Sequence, residues 1–250
     1  MLKTSHIKND LVSASPAEKS PSVIKAKSIG TKKESSLHKS LKFRYSGTGG
    51  DTEIVSGSYV CDACTKDGEL IEVQTGSFGP LKEKAKTLAI SAKVKIIHPI
   101  IAQKHIELYS SGGKLIHRRK SPSKGSLWNL FDVLIYAPLL PLTKKLTIEL
   151  AVVDVVEKRI DDGKGSWRRK GVRIADRSLG AWHHSVLLKS VKDYNRFIPF
   201  KKGERFTVRS LAEKTGISAA LARKTLYVLS KISLVEKTGK QGNALVYKRI

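Results

Sequence analysis

Asp62 and Glu72 are the two residues whose types and spacing could best support metal-dependent chemistry. The sequence around them predicts a β-hairpin, with strands at residues 52–64 and 69–75 and a Thr-Lys-Asp-Gly turn at 65–68. With the turn centred on Asp67, the two carboxylates are equally far from it and face each other across the hairpin. Directly opposed carboxylates lie about 5 Å apart and repel each other. A bound divalent cation would remove that repulsion.

A third polar residue, Gln74, belongs to the same predicted face. Strand alternation places Glu72 and Gln74 on one side and Ile71 and Val73 on the opposite, apolar side. We therefore expect Asp62, Glu72 and Gln74 to converge. The alternative is a surface hairpin whose acidic residues only face solvent. Glu53 is another candidate carboxylate, but it has the opposite parity to Asp62, and only a bulge near Gly57 would turn it inward.

The elements around this hairpin follow an α-β-β-α-β order. A helix is predicted over residues 34–45, with Leu37, Leu41 and Tyr45 as its apolar stripe, and a second helix over 80–92. The apolar run at 93–101 is typical of a buried parallel strand. This order predicts an α/β fold, a mixed sheet flanked by helices. Additional sheet or helix segments are predicted at 106–109, 114–117, 126–136 and 146–156.

These elements and motifs resemble the PD-(D/E)XK nucleases, whose core is the restriction-endonuclease-like fold. The segments Gly-Ser-Tyr-Val-Cys-Asp at 57–62 and Leu-Ile-Glu-Val-Gln-Thr at 70–75 are similar to stretches of archaeal Holliday-junction resolvases. They are also similar to uncharacterised prokaryotic members with an Ile-Glu-Ile-Gln-Thr type of strand. The resemblance covers roughly residues 34–160.

The resemblance implies a metal site and names its residues. Asp62, Glu72 and the carbonyl of Val73 would hold Mg²⁺ or Mn²⁺, which would activate water for attack on a phosphodiester. A Glu on the first helix often completes such sites, and Glu34 occupies the matching place. Gln74 departs from the family, which usually has Lys there. Gln can hydrogen-bond the attacking water but brings no charge.

From residue 193 the pattern changes to two helices and a hairpin. Helices are predicted at 208–215 and 218–229, joined by a turn at Gly216, and strands at 234–237 and 244–248. This order resembles a winged helix, and residues 192–250 carry 14 Lys or Arg against 4 Asp or Glu. The residues expected to contact DNA are Arg223, Lys224, Lys237, Lys240 and Lys248.

The overall charge indicates a polyanionic partner. Lys and Arg number 47 against 22 Asp and Glu, a net charge of +25, which favours DNA. Two basic runs, Arg118–Lys120 and Arg168–Lys170, are candidates for a DNA groove or for solvated faces. The Ser- and Lys-rich residues 1–33 predict a disordered basic tail, so the expected units are 1–33, 34–192 and 193–250.

The remaining sequence features predict where the protein acts. The most apolar stretch, 127–142, is broken by Asn129, Asp132, Pro138 and Pro141, so we expect no membrane span. No signal peptide is recognised, and only two cysteines are present, which fits a reducing, cytoplasmic location. The sequence therefore predicts a metal-dependent DNA endonuclease. A non-catalytic DNA-binding or regulatory protein with a degenerate nuclease fold is the alternative, and a homodimer is left open.

Overall fold

The structure of the protein is a computed structural model, which describes residues 24–25, 34–47 and 51–250. The predicted tail, residues 1–33, lies outside the described residues except for the backbone of residues 24–25. No helix among the described residues is long and apolar enough to cross a membrane.

A mixed sheet of eight strands forms the centre of the protein. Its strands are β1 (Ile24–Lys25), β2 (Asp51–Ser56), β3 (Tyr59–Cys64), β4 (Leu70–Val73), β5 (Val94–Ser110), β6 (Leu115–Lys120), β7 (Leu146–Asp161) and β8 (Val172–Leu188). The order is β1-β2-β3-β4-β5-β7-β8, and β6 pairs with β5. The pairings of β4 with β5 and of β5 with β7 are parallel, and the others are antiparallel. The predicted α/β fold with a mixed sheet is confirmed.

Two helices cover opposite faces of this sheet. Helix α1 (Ser36–Ser46) packs Leu37 and Leu41 against Ile71, whereas helix α2 (Lys82–Ser91) packs against the neighbouring residue Leu70. Because adjacent strand residues point to opposite faces, α1 and α2 lie on opposite sides of β4. The α1 helix begins where the Ser35 hydroxyl accepts a hydrogen bond from the His38 amide.

Several strands differ from the sequence predictions. The single strand predicted at 52–64 is two antiparallel strands, β2 and β3, because the chain reverses at Gly57, whose φ of 58° suits a tight turn. The segments predicted at 93–101 and 106–109 are one continuous strand, β5. Its pairing with β7 continues through a bulge between Ile101 and Gln103. The strand predicted at 146–156 continues to Asp161. Strand β8 had no sequence prediction, since its alternating residues are mostly exposed or half-buried and lack an apolar run. The helix predicted at 126–136 is a 3-10 turn followed by the short helix α3 (Leu130–Leu134).

The second half of β5, all of β6 and the facing ends of β7 and β8 form a sheet extension. We call residues 104–120 and 156–177 the basic arm. Strand β6 is exposed along its whole length. At the base of the arm, the fully buried carboxylate of Glu157 pairs with Arg159, Arg177 and Lys104 at 2.6, 2.9 and 3.5 Å. These pairs offset the cost of burying Glu157 and tie three strands together.

The C-terminal residues form a smaller unit of two helices and three strands. These are β9 (Arg205–Thr207), α4 (Val208–Thr215), α5 (Ala219–Lys231), β10 (Val235–Gln241) and β11 (Ala244–Arg249), with strand order β10-β11-β9. Both predicted helices and the hairpin are present at nearly the predicted bounds. Thr207 and Ser218 cap the two helices, and Gly216 adopts the left-handed conformation between them.

This unit shares its hydrophobic core with the large sheet. Leu226 and Leu229 of α5 belong to the same buried cluster as Leu130 and Phe131 of α3. The boundary predicted at 192/193 falls inside a 3-10 helix, Val191–Phe197, and the Phe197 ring lies 4.9 Å from that of Phe131. The two units therefore share one buried apolar core.

Candidate metal centre

A stripe of three polar residues begins just before the N-cap of α1 and continues along the helix. Glu34, His38 and Lys42 are spaced four residues apart, so they project on one side of the helix, next to the buried stripe of Leu37 and Leu41. The buried stripe holds the helix against the sheet. It thereby holds the polar stripe over Glu53 of β2 and Asp62 of β3.

His38 connects the helix to Asp62 on β3. Its Nε2 lies 3.2 Å from Asp62 Oδ2, and its Nδ1 lies 3.5 Å from Glu34 Oε1. One ligand atom from each of the three residues lies within 4.8 Å of the others, and their side chains are only 21–23% exposed. Ligands bound at about 2.1 Å to one ion lie within about 4.2 Å of each other. Small side-chain shifts therefore suffice for the three residues to hold a cation, and we call them the metal cluster.

Lys42 gathers three carboxylates at this corner. Its Nζ lies 3.2 Å from Glu34, 3.5 Å from Glu53 and 3.6 Å from Asp62. Burial acts to lower the pKa of Lys42, but the charges of Asp62, Glu34 and Glu53 outweigh it and raise the pKa above its ordinary value. Three carboxylates outnumber Lys42, and would outnumber Lys42 and a charged His38 together, so this corner carries a net negative charge. Such a corner attracts cations in a chain of net charge +25.

Glu53 reaches the cluster through an unusual backbone conformation. Its φ is 57°, in the left-handed region that non-glycine residues rarely occupy. The sequence indicated that only a bulge near Gly57 would turn Glu53 inward. The chain instead reverses at Gly57, so Glu53 and Asp62 lie on neighbouring antiparallel strands, and the Glu53 side chain contacts Lys42.

Asp62 is held ionised by its neighbours. Burial acts to raise its pKa, but hydrogen bonds from His38 and the Val73 amide, together with the charge of Lys42, hold the pKa below its usual value. The Val73 nitrogen donates to Asp62 Oδ2 at 2.8 Å. Val73 was expected to offer its carbonyl to a metal, whereas its observed contact with Asp62 is through the amide.

Glu72 lies apart from the metal cluster, with residues on the α2 side of the sheet. Its Oε1 is 2.5 Å from the Nζ of Lys84 on α2, and its side chain is only 7% exposed. Burial and, more weakly, the charge of Asp62 raise the pKa of Glu72 against the lowering effect of Lys84. Burial and the charge of Glu72 also raise the pKa of the neighbouring Cys61 thiol to about 12. The lysine ammonium thus occupies the place expected for a metal ion.

Gln74 is also engaged elsewhere. Its side-chain Nε2 donates to the Ser77 backbone carbonyl at 2.5 Å, and its backbone carbonyl accepts from His98 Nδ1 at 2.7 Å. The structure therefore does not bring Asp62, Glu72 and Gln74 together as the hairpin pattern predicted.

A break in the alternation of β3 explains why these residues diverge. Cys61 packs with α2 residues, whereas Ala63, two positions later, packs with α1 residues. The pairing of β3 with β4 ends at Ala63 and Ile71, and beyond it the Asp62 side chain accepts the Val73 amide. Asp62 thus joins the α1 side, while Glu72 stays on the other.

A cavity of about 720 Å³ adjoins the metal cluster. It is lined by Glu34 and the start of α1, by Thr75, by Pro99 and Ile101 of β5 and by residues 174–177 of β8. It lies just beyond the carboxyl end of β4, beside the middle of β5. Asp176 closes one wall by accepting the Ser36 amide at 3.0 Å.

The residues expected to contact DNA fall into two groups. Arg223, Lys237 and Lys240 are exposed. Lys224 forms an ion pair with Asp132 of α3 at 2.7 Å, and Lys248 one with Glu236 at 2.8 Å. Lys224 therefore sits where the C-terminal unit meets the large sheet.

Sequence reasoning missed His38 and Lys42. Their signal is the Glu34-His38-Lys42 spacing, which repeats the Leu37-Leu41-Tyr45 spacing one face over. A row of polar residues at four-residue spacing, next to the apolar row, indicates a helix face that contacts polar partners. Which strand carboxylate those residues meet depends on long-range packing.

The fold and site together define an α/β protein with a carboxylate–histidine cluster at one end of a mixed sheet. The chain belongs to the family described as "Domain of unknown function (DUF8091)", which matches residues 35–189. The matched region contains α1, the whole sheet from β2 to β8, and His38 and Asp62 of the metal cluster.

A relative also matches beyond this region. The chain is similar to an uncharacterized protein of Treponema pallidum (strain Nichols), with 28% identity over 222 residues, which cover 88% of this chain and 87% of the relative. No solved structure matches the chain.

Proposed function

We propose that this protein is a metal-dependent phosphodiesterase acting on DNA, with Glu34, His38 and Asp62 as the metal ligands. The observation that carries the proposal is the metal cluster itself: three ligand atoms within 4.8 Å, in a locally acidic corner of a strongly basic chain. A divalent cation bound there would supply Lewis-acid stabilisation of the charge that develops on a phosphodiester attacked by water.

The ligand types favour Mn²⁺ over Mg²⁺. Mg²⁺ prefers a complete set of oxygen ligands in strict octahedral geometry, whereas first-row transition metals accept imidazole readily. Two carboxylates and one histidine therefore support Mn²⁺ as the better activator.

Lys42 supports the proposed chemistry because it supplies the positive charge that Gln74 does not. PD-(D/E)XK nucleases usually have a lysine two residues after the Glu, and this chain has Gln74 there, tied to Ser77. The Lys42 ammonium lies 3.6 Å from Asp62 Oδ1. A cation at this position can orient water and offset the negative charge of an approaching phosphate.

The C-terminal unit supports DNA as the substrate. We interpret it as a winged helix, with α5 as the recognition helix and β10–β11 as the wing. The exposed residues Ala219, Arg223, Tyr227 and Lys231 follow one another at four-residue spacing on α5. A small residue beside two cations and an aromatic ring suits close approach to a phosphate backbone.

A non-catalytic DNA-binding protein is the second candidate. It is favoured by the Glu72–Lys84 pair at 2.5 Å, because this pair already neutralises a carboxylate that the nuclease motif would give to the metal. In that case the fold would bind DNA without hydrolysing it.

Cleavage of labelled DNA distinguishes the two candidates. Purified wild type is incubated with linear and branched DNA in Mn²⁺, in Mg²⁺ or in EDTA, and binding is measured on the same substrates. We expect cleavage with Mn²⁺ that Asp62→Asn and His38→Leu abolish and that Glu72→Gln retains, with DNA binding intact in all three variants. Binding without cleavage under every metal condition would assign the non-catalytic function.

A further inference from the structure

Two basic runs that are far apart in sequence meet in one cavity of the basic arm. The cavity measures about 350 Å³ and combines Arg119 of β6, Arg159 of β7 and the turn residues Arg168, Arg169 and Lys170. The cavity therefore depends on the pairing of β6, β5, β7 and β8, which brings residues 119 and 168 together.

Most of these cations carry unneutralised charge. Arg159 is paired with Glu157 at 2.6 Å, and the Nε of Arg169 donates to the Val172 carbonyl. Arg119, Arg168 and Lys170 have no carboxylate within 4 Å in the described part of the chain. Several unpaired cations around one concave surface create a positive potential that favours phosphate groups.

The floor of the same cavity is apolar. Ile106, Leu108 and Val172 line it beneath the cations. Trp167, which directly precedes the basic turn, is 83% exposed, and the Arg168 guanidinium lies 5.6 Å from its ring. The exposed indole ring and the apolar floor thus place base-stacking surface beside the unpaired cations.

We infer that the basic arm binds an unpaired strand of nucleic acid. Arg119, Arg168 and Lys170 contact its phosphates, while Trp167 and the apolar floor contact its bases. Duplex DNA hides its base faces in stacking, so a duplex would use the cations but leave the apolar surface unused. The inference builds on the proposed nucleic-acid function and is independent of the metal cluster.

The arm cavity and the metal cluster lie on the same face of the sheet. Val155 of β7 packs in the same cluster as Leu37 of α1, and strand alternation puts Glu157 and Arg159 on that face too. On β8, Val172 lines the arm cavity and Arg177 lines the cavity beside Glu34. The five residue steps from Val172 to Arg177 span about 17 Å along the strand. A strand held by the arm is thus directed toward the metal cluster.

Binding of oligonucleotides to the full-length protein, measured by fluorescence anisotropy in EDTA, tests this inference. A mixed-sequence single strand and its duplex are compared for wild type, Trp167→Ala, Trp167→Phe and Arg168→Ala/Lys170→Ala. Trp167→Ala is expected to weaken single-strand binding about tenfold and leave duplex binding unchanged, since one base stack is lost. Trp167→Phe should retain most of the affinity. The double variant should weaken binding to the single strand and reduce its salt dependence by about two phosphate contacts.

Equal losses for the single strand and the duplex would overturn the unpaired-strand assignment and make the arm a duplex surface. Unchanged single-strand affinity in Trp167→Ala and in the double variant would exclude the arm from binding altogether. Because no metal is present, neither outcome bears on the catalytic proposal. Failure of wild type to bind any nucleic acid would overturn both.

Discussion

The Nε2 of His38 lies 3.2 Å from Oδ2 of Asp62, and this contact joins α1 to the strand that carries the candidate catalytic aspartate. The same oxygen accepts the Val73 amide at 2.8 Å, which fixes its position relative to β4. Asp62 is thus oriented from two sides, by helix and by strand. A preoriented carboxylate beside an imidazole lowers the cost of assembling a metal site.

The lowered pKa of Asp62 predicts a loss of stability in acid. Because the folded pKa lies below the unfolded value, ionised Asp62 stabilises the fold above about pH 4. That contribution is lost as pH falls through the folded pKa. Urea unfolding between pH 2 and 7 should show a weaker acid dependence for Asp62→Asn than for wild type. Parallel curves for the two proteins would mean that Asp62 gains nothing from His38, Val73 and Lys42.

The hydrogen bond from Tyr45 to the buried carboxylate of Glu149 predicts that removing the Tyr45 hydroxyl destabilises the fold. Tyr45 donates to Glu149 Oε1 at 2.5 Å, and Glu149 is only 6% exposed. Tyr45→Phe should lower the free energy of unfolding by about 1–3 kcal/mol, because a buried acceptor loses its donor. Tyr109→Phe is the matched control, since its partner Glu107 is more exposed. Thermal and urea unfolding of both variants would measure the difference, and equal effects would refute the burial argument.

The shared core predicts that the C-terminal unit cannot be removed cleanly. The sequence predicted residues 193–250 as a unit of their own, and its residues Tyr194 and Phe197 are buried in the core cluster that includes Phe131. A chain ending at residue 192 should expose this apolar surface and aggregate or lose cooperative unfolding. Circular dichroism and size-exclusion chromatography would show this. A soluble, cooperatively folded truncation would mean that the interface contributes little.

Adjacent cations on α5 predict different effects on DNA binding. Arg223 is exposed, whereas Lys224 is paired with Asp132 at 2.7 Å. Arg223→Ala should weaken duplex binding and reduce its salt dependence by about one phosphate contact. Lys224→Ala should change DNA affinity less, because its charge is already neutralised. Comparable losses in the two variants would show that the Lys224–Asp132 pair opens on DNA.

The sequence predicted the order of the elements better than the relations between side chains. Periodicity located α1, α2, both C-terminal helices and β4, because each buries a regular apolar face. The predicted hairpin selected Asp62, and the resemblance to the PD-(D/E)XK nucleases selected Glu34. The hairpin pattern had limits. It failed to separate Asp62 from Glu72, because strand alternation assumes a regular strand and β3 is irregular between Cys61 and Ala63. The pairing of Lys84 with Glu72 depends on helix packing, which local pattern does not encode.

Calorimetric titration of Mn²⁺ into the metal-free protein tests the central claim most directly. We predict one site per chain in wild type and in Glu72→Gln, and at least a tenfold weaker affinity in Glu34→Gln, His38→Leu and Asp62→Asn, because each removes one ligand. Circular dichroism would verify that each variant is folded. Wild-type affinity in Glu34→Gln and His38→Leu, together with loss of binding in Glu72→Gln, would contradict the account and place the metal between Asp62 and Glu72 instead.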